Sequence, residues 1–388
     1  MQALVLHPAT ASVSLRDWPK PLPAPGEVLV RVQAIALNPV DELYVSSPIA
    51  VQEHRVIGTD FAGVVVGASA GLHGLTDVRT KNGTRVAGFA QGGGCSSRED
   101  DLPGAFAEYV ALPYDLLWTV PDDMSFEAAA TVSMCSMTAA QAVFTRFGLP
   151  SPFFPSNWHD KKLHEDDGTV NVFVYGASTS LGLYIAQLVR LSFATSRRKL
   201  RLLGAASPSK HEFLRQSPYL YDVLVDYRDP AWADSVRDAT KGKGIAYALD
   251  AISEGETVSK THSTLAEDAH FAVFRGPVGG RYDPDKMRIK PSPQISSNPN
   301  PGVGTAFPSD PEARRFATSF YDYLSSTLQH GQWPLQPNPV RLMPGGLERV
   351  VPDGFALLGN GPVSARPALQ REEVYMRPIS GEKLVYRI

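Results

Sequence analysis

The chain has 388 residues, too many for one ordinary domain and suited to two. Apolar residues make up 43% of it, enough to fill a core and set against general disorder. A formal charge of −3 argues against nucleic acid as the main partner, because phosphate chains call for a basic face. No run approaches the roughly eighteen apolar residues of a membrane span. The opening MQALVLHPAT also lacks a basic stretch followed by a signal core. A soluble cytoplasmic protein without membrane contact is therefore expected, with Cys95 and Cys135 as free thiols in a reducing compartment.

In chain order, residues 1–137 read as mostly β. Val28–Ile35 (VLVRVQAI) alternates, Phe61–Val66 follows a turn at Gly58, and Ala105–Ala111 (AFAEYVA) is a further strand. Short strands separated by Gly and Pro turns suggest a barrel or sandwich. Ser151–Gly168 is polar and reads as a surface insertion. Directly after it, Val170–Gly182 (VNVFVYGASTSLG) runs from an apolar strand through a small-residue turn into a helix, Leu183–Leu191. Short side chains at Gly176, Ala177, Ser178, Thr179 and Ser180 let backbone approach a pyrophosphate, and the new helix offers it free N–H groups. A strict G-x-G-x-x-G would put glycines at 177, 179 and 182, and only Gly182 is present. An ordinary strand–turn–helix corner is the alternative reading.

A second strand, Leu200–Ala206, completes a βαβ unit. It ends in Ser207, Pro208, Ser209 and Lys210, with no acid before Glu212 to bond a free ribose. Hydroxyls and a cation suit a 2′-phosphate, so NADPH is expected over NADH; a solvated loop with a chance lysine is the alternative. Strand-like runs at Asp222–Asp226, Ile245–Asp250 and Phe271–Phe274, alternating with helical stretches, fit a doubly wound parallel sheet. Asp283–Asp310, dense in Pro and Ser, shows no period, and Gly361–Pro378 separates a helix-like stretch from the terminal SGEKLVYRI; both read as excursions from the compact fold.

The sequence resembles the medium-chain dehydrogenase/reductase family. The resemblance is carried by PGEVLVRVQAIALNPVD (25–41), IGTDFAGVV (57–65), GTRVAGF (83–89), GAFAEYVALP (104–113), the motif strand and SGEKLVYRI (380–388). It implies an α/β protein in which a GroES-like, β-rich catalytic domain is built from both chain ends around an inserted Rossmann domain. The expected divisions are 1–137 and 308–388 for the first and 138–307 for the second, with the active site in the cleft between them. The family's zinc enzymes carry a Cys where Asn38 stands and a His-Glu pair where Thr59 and Asp60 stand, so no metal site is expected. Without that Lewis acid, the zinc-free branch reduces activated carbon–carbon double bonds or quinones. Within it, ALNPVD (36–41), GASTSLG, SMTAAQAV (136–143), SPSKHEF (207–213), VDYRDP (225–230) and ALDAI (248–252) resemble the fungal trans-acting enoyl reductases of polyketide synthesis, of the lovastatin-pathway type.

That resemblance implies a monomer that uses NADPH to reduce an α,β-unsaturated thioester on the carrier domain of a partner polyketide synthase or polyketide–peptide hybrid. It puts Val40, Asp41, Glu42 and Leu43 beside the nicotinamide, and Ser178, Thr179, Ser180 and Leu181 around the pyrophosphate. It puts Ser207, Pro208, Ser209, Lys210 and Tyr227 at the 2′-phosphate and adenine. Phe274 and Arg275 follow the strand under the nicotinamide, and Ile379 and Ser380 close from the C-terminal side. Tyr227 reads equally as a packing aromatic and Arg275 as a surface cation. Substrate is expected along a helix of Ala139, Ala140, Gln141, Ala142, Val143, Phe144, Thr145 and Arg146, whose alanines read alternatively as plain packing. Val303, Gly304, Thr305, Ala306 and Phe307 are expected as a further wall. Lovastatin-pathway members have a lysine where Leu43 stands, which leaves Thr138 and Tyr44 as candidate catalytic hydroxyls. Lys161 with Lys162, or Arg314 with Arg315, are candidates for a basic rim that steers an acidic carrier, or else ordinary solvated charges. A free-standing quinone or 2-alkenal reductase and a non-catalytic NADPH-binding partner protein are the other readings.

Overall fold

The structure is a computed structural model and describes residues 1–46, 55–90, 104–155, 168–194, 196, 198–292, 311–326, 333–359, 361, 363 and 371–388. It forms two compact units, one of residues 1–134 with 297–388 and the other of residues 135–296. The sequence suggests divisions at 137/138 and 307/308 instead.

The first unit is built on the strand Glu27–Ala36, whose alternating apolar side chains include Val28, Val30, Val32 and Ile35, all buried. That strand pairs antiparallel with Asp60–Ala68, with Tyr109–Pro113 and, across most of the sequence, with Lys383–Arg387. Arg85–Phe89 and Leu117–Thr119 extend the sheet on one side, and Val340–Leu342 lies parallel to Lys383–Arg387 on the other. A small sheet of Ser12–Asp17, Gln2–His7 and Arg55–Val56 completes the β content. Ile35, Leu37, Phe61, Val86, Phe106, Leu384 and Tyr386 share one apolar core, and full burial of each such side chain contributes about 1.5–3 kcal/mol. The strand expected at Ala105–Ala111 instead begins at Tyr109. Ahead of it, the Ala105 and Phe106 amides donate to the Gly58 and Ile57 carbonyls at 2.9 Å, and Ala107 makes a lone bridge to Ala3.

The second unit is a five-stranded parallel sheet in the spatial order Val223–Asp226, Lys199–Ala206, Thr169–Tyr175, Ile245–Asp250, Leu265–Val273. Two of its inner strands, Thr169–Tyr175 and Ile245–Asp250, are mostly apolar and buried over nearly their whole length, as a sheet covered on both faces requires. The fifth strand is longer than Phe271–Phe274 because its first half carries exposed Glu267 and Asp268, which hide it from an apolar reading. The helix expected over Ala139–Arg146 is two pieces. An α-helix covers Ser133–Ala140, and a π-helical turn covers Gln141–Arg146, where the Phe147 amide reaches back to the Ala142 carbonyl at 3.2 Å. The Thr145 hydroxyl also donates back to the Gln141 carbonyl, four residues earlier. Among the described residues no helix is long and apolar enough to cross a membrane.

Candidate functional site

In the second unit, the chain leaves Thr169–Tyr175 through Gly176, whose φ of 76° suits glycine. The Ala177 amide donates to the Ala205 carbonyl at 3.0 Å, pinning the turn to the neighbouring strand. Thr179 caps the helix Ser180–Ala194: its hydroxyl accepts from the Gly182 amide at 3.0 Å and donates to the Gly176 carbonyl at 2.8 Å. A Cβ on Gly182 would lie 2.3 Å from the Gly176 carbonyl oxygen, so only glycine lets the helix approach the turn. The incomplete fingerprint thus keeps the glycine that close packing needs. The helix leaves the Ser180 and Leu181 amides without an intrahelical partner at its positive end, and Ser178, Thr179, Ser180 and Leu181 are all half-buried. This cradle fits a pyrophosphate.

The strand order reverses at Thr169–Tyr175, so a ligand of such a sheet is expected beyond Tyr175 and Asp250. The register pairs Ala206 with Asp226, which makes Ser207 and Tyr227 the next residues beyond two adjacent strand ends. Ser207 and Lys210 are half-buried, Pro208 and Ser209 exposed, and Tyr227 is 44% exposed with its ring edge-on to Tyr175. Arg228, which the sequence reading did not single out, sits over the Tyr227 ring at 5.4 Å and adds a cation at this strand end. The signal for it was the arginine within VDYRDP.

At the fourth strand end, the buried Asp250 carboxylate accepts from the Ile252 amide (3.0 Å), the Ser253 amide (2.7 Å) and the Thr257 hydroxyl (2.6 Å). Burial nevertheless pushes its carboxyl up to about 6. Ser253, held at a φ of 56°, accepts from the Phe274 amide at 2.8 Å and so ties the fourth strand end to the fifth. Phe274 lies under the Arg146 guanidinium at 5.3 Å, and Arg146 donates to the Val273 carbonyl at 2.9 Å. Burial lowers Arg146 to about 10, which leaves it cationic at neutrality. Arg275 pairs with Glu254 at 2.7 Å. Ala139, Ala140, Ala142 and Val143 are fully buried, Gln141 and Phe144 nearly so, and Thr145 is exposed.

In the first unit, Asn38 precedes the helix Pro39–Ser46: its backbone amide donates to Asp41 Oδ2 at 2.7 Å, half of a capping box, and the Asp41 amide donates to the Asn38 backbone carbonyl at 3.0 Å. The Asn38 side-chain amide donates to Thr59 Oγ1 (2.8 Å) and Asp60 Oδ2 (2.9 Å). The Lys383 ammonium pairs with the same Asp60 oxygen, and the Met134 amide donates to Asp60 Oδ1 at 2.8 Å. Asp60 is wholly buried and Lys383 is 3% exposed. Burial, abetted by the Asp60 charge, pushes Asp41 up to about 7 against the bonds from Asn38 and Thr59 and the Lys383 charge. The three positions where the zinc enzymes of the resembled family hold ligands are thus an amide, a hydroxyl and a carboxylate bonded to one another or to a lysine. Among the described residues no group of His, Cys, Asp or Glu is placed to hold a metal ion. Lys383 was missed by sequence reasoning.

On the same helix, Val40 and Glu42 are half-buried and Leu43 is 40% exposed; burial raises the Glu42 carboxyl. Tyr44 is half-buried, and its carbonyl accepts from Arg55 at 3.3 Å. Thr138 is half-buried on Ser133–Ala140, the helix whose start Asp60 holds. Ile379 packs on the first unit's core, whereas Ser380 is exposed. Arg314 pairs with Asp115, and Arg315 with Glu312 at 2.8 Å. Val303, Gly304, Thr305, Ala306 and Phe307, like Cys95, Lys161 and Lys162, lie outside the described residues.

Residues 24–122 match the alcohol dehydrogenase GroES-like domain. Two folds follow this one over its whole length: an alcohol dehydrogenase superfamily protein from Novosphingobium aromaticivorans (TM-score 0.69, 20% identity, 100% of this chain and 99% of that one) and the CurK enoyl reductase (0.66, 16%, 100% and 98%). A third is a mycobacterial protein complexed with NADPH (0.64, 18%, 100% of both chains). The GroES-like domain and Rossmann-type sheet define a medium-chain dehydrogenase/reductase, an oxidoreductase. The chain is 30% identical over 392 residues to the trans-enoyl reductase buaC of Petromyces alliaceus, covering 99% of this chain and 96% of that protein. It is 30% identical over 407 residues to the trans-enoyl reductase caaB of Aspergillus niger, covering 100% and 96%. It belongs to the trans-enoyl reductases of this family.

Proposed function

We propose that the protein acts in trans as an NADPH-dependent enoyl reductase on an α,β-unsaturated thioester carried by a partner polyketide synthase. The observation that carries this reading is end-to-end similarity to trans-enoyl reductases in a chain that retains a phosphate-binding turn. Bound NADPH would supply a hydride to the β-carbon. The Ser180 and Leu181 amides would hold its pyrophosphate, and Ser207, Ser209, Lys210 and Arg228 its 2′-phosphate. Among the candidates for the nicotinamide, Val40 and Leu43 lie on the helix Pro39–Ser46, and Phe274 follows the strand Leu265–Val273.

The Thr138 hydroxyl would donate to the thioester carbonyl, and so stabilise negative charge developing on that oxygen during reduction. The ordinary pKa of neither a threonine hydroxyl nor the Tyr44 phenol makes it a strong acid near neutrality. Orientation therefore supplies most of the rate, with the α-carbon proton coming from water or Tyr44. Asp41 and Asp60 act below the surface, fixing the segments that bear these groups. The test compares kcat/KM for one enoyl group on a carrier domain and on a short free thioester, at low and high salt. A carrier preference of about tenfold or more, reduced by salt, is expected. Equal values, or faster turnover of a diffusible quinone, would replace this reading with a free-standing small-molecule reductase.

A further inference from the structure

The Asp60 carboxylate collects three parts of the chain that lie far apart in sequence. Oδ2 receives the Asn38 side chain, which heads the helix bearing Val40, Leu43 and Tyr44. The same oxygen receives Lys383, from a strand 323 residues away. Oδ1 receives the Met134 amide in the first turn of the helix bearing Thr138, where a negative charge also meets the helix's positive end. A buried carboxylate costs much unless it is paired and hydrogen-bonded, and here one ammonium and two N–H donors meet that need. An apolar trio would fill the same volume without fixing directions.

We infer that Asp60 and Lys383 are positioning residues for the reaction: their ion pair sets the two helices that present Tyr44 and Thr138. The inference rests on the enoyl reductase reading. Lys383 supplies the cation from within the chain, so the centre needs no added ion to hold its geometry.

The test uses the full chain with Asp60→Asn, Lys383→Met and the double variant, together with Asp60→Glu, which keeps the charge and moves the carboxylate by one methylene. Each neutralising single variant strands a buried charge and loses stability, and the double variant recovers it because neither charge remains. Turnover does not recover: kcat on the enoyl thioester stays lower by about tenfold or more in the double variant, while the Kd for NADPH stays within about threefold. Asp60→Glu lowers kcat in the same direction and keeps NADPH affinity. A double variant or Asp60→Glu protein with wild-type kcat overturns the inference, because a purely structural pair would be satisfied by restored stability. If the wild-type protein itself fails to reduce the thioester, the enoyl reductase reading has failed, and amide exchange decides the positioning role. The folded double variant must then exchange faster over both 38–46 and 133–140, and wild-type protection in either segment overturns it.

Discussion

The phosphate turn of the second unit and the buried centre of the first solve the problem of holding charge in different ways. The turn uses backbone. Gly176, Thr179 and Gly182 lie within seven residues, and under the proposed reading the Ser180 and Leu181 amides would do the binding, so side chains there need only be small. The centre uses side chains. Asn38, Asp60 and Lys383 come from three strands or strand ends, and each satisfies another's polar group. A backbone device tolerates changes of side chain that keep its shape, and a side-chain device tolerates changes of shape that keep its bonds. The first therefore breaks by adding bulk and the second by changing charge.

The largest effect is expected from bulk. Gly182→Ala places a methyl group 2.3 Å from a backbone carbonyl that cannot step aside, so the helix must retreat from the turn. NADPH affinity should fall by about a hundredfold or more, about 2.7 kcal/mol, as read by fluorescence titration. The first unit should keep its own fold. Wild-type affinity would show that the helix approach is not what makes the cradle.

Charge at the centre comes next. Asp41 is raised from 3.8 to about 7 by burial, amid Asp60, Lys383, Asn38 and Thr59. Folding thus favours its protonated form, and the resulting stability is complete below pH 3.8 and lost as pH rises through 7. Asp41→Asn keeps an acceptor for the Asn38 amide and removes this loss. Relative to wild type, the variant should gain stability between pH 5 and pH 8, by on the order of a few kcal/mol in denaturant melts at the two pH values. A pH-independent difference would mean that Asp41 is ionised throughout.

A smaller effect is expected at the strand end. Lys210→Ala should weaken NADPH by about tenfold, about 1.4 kcal/mol, and leave NADH nearly unchanged, because one charge-assisted phosphate contact is worth that much. Arg228 on the Tyr227 ring limits the loss by keeping a second cation close. Equal losses for both cofactors would remove the 2′-phosphate from this site. No effect at all is expected from chelation. Activity should persist in chelator, and elemental analysis should find no stoichiometric zinc, since Asp60 already has an internal cation.

These two regions also differ in how far the sequence discloses them. Ile245–Asp250 has in the structure the bounds that its apolar run suggests, and the turn was readable because its parts are neighbours and its size limits are local. At the centre, Asn38, Thr59 and Asp60 could be read as departures from a metal set, but nothing local marks Lys383 as their partner. Its strand is otherwise an ordinary apolar run, and the contact spans 323 residues. The break of the Ala139–Arg146 helix was hidden for a similar reason: a change from α- to π-helical turns leaves no trace in hydrophobic period over six residues. The alanines of that segment are compatible with a groove or with packing, and nothing in the sequence separates the two.

The return of Lys383–Arg387 to the sheet beside Glu27–Ala36 has a consequence for how the molecule is made. A ribosome delivers Asn38 and Asp60 early and Lys383 only after all of residues 135–296 have emerged. Until then the nascent first unit carries a buried-to-be carboxylate with no cation and a central strand whose Ala34–Ala36 end lacks its partner, which is a site for mispairing. The inserted parallel sheet has no such debt to later residues and can close as soon as it clears the exit tunnel. Synthesis order therefore makes the first half of the chain the part that most needs a chaperone, although its residues come first.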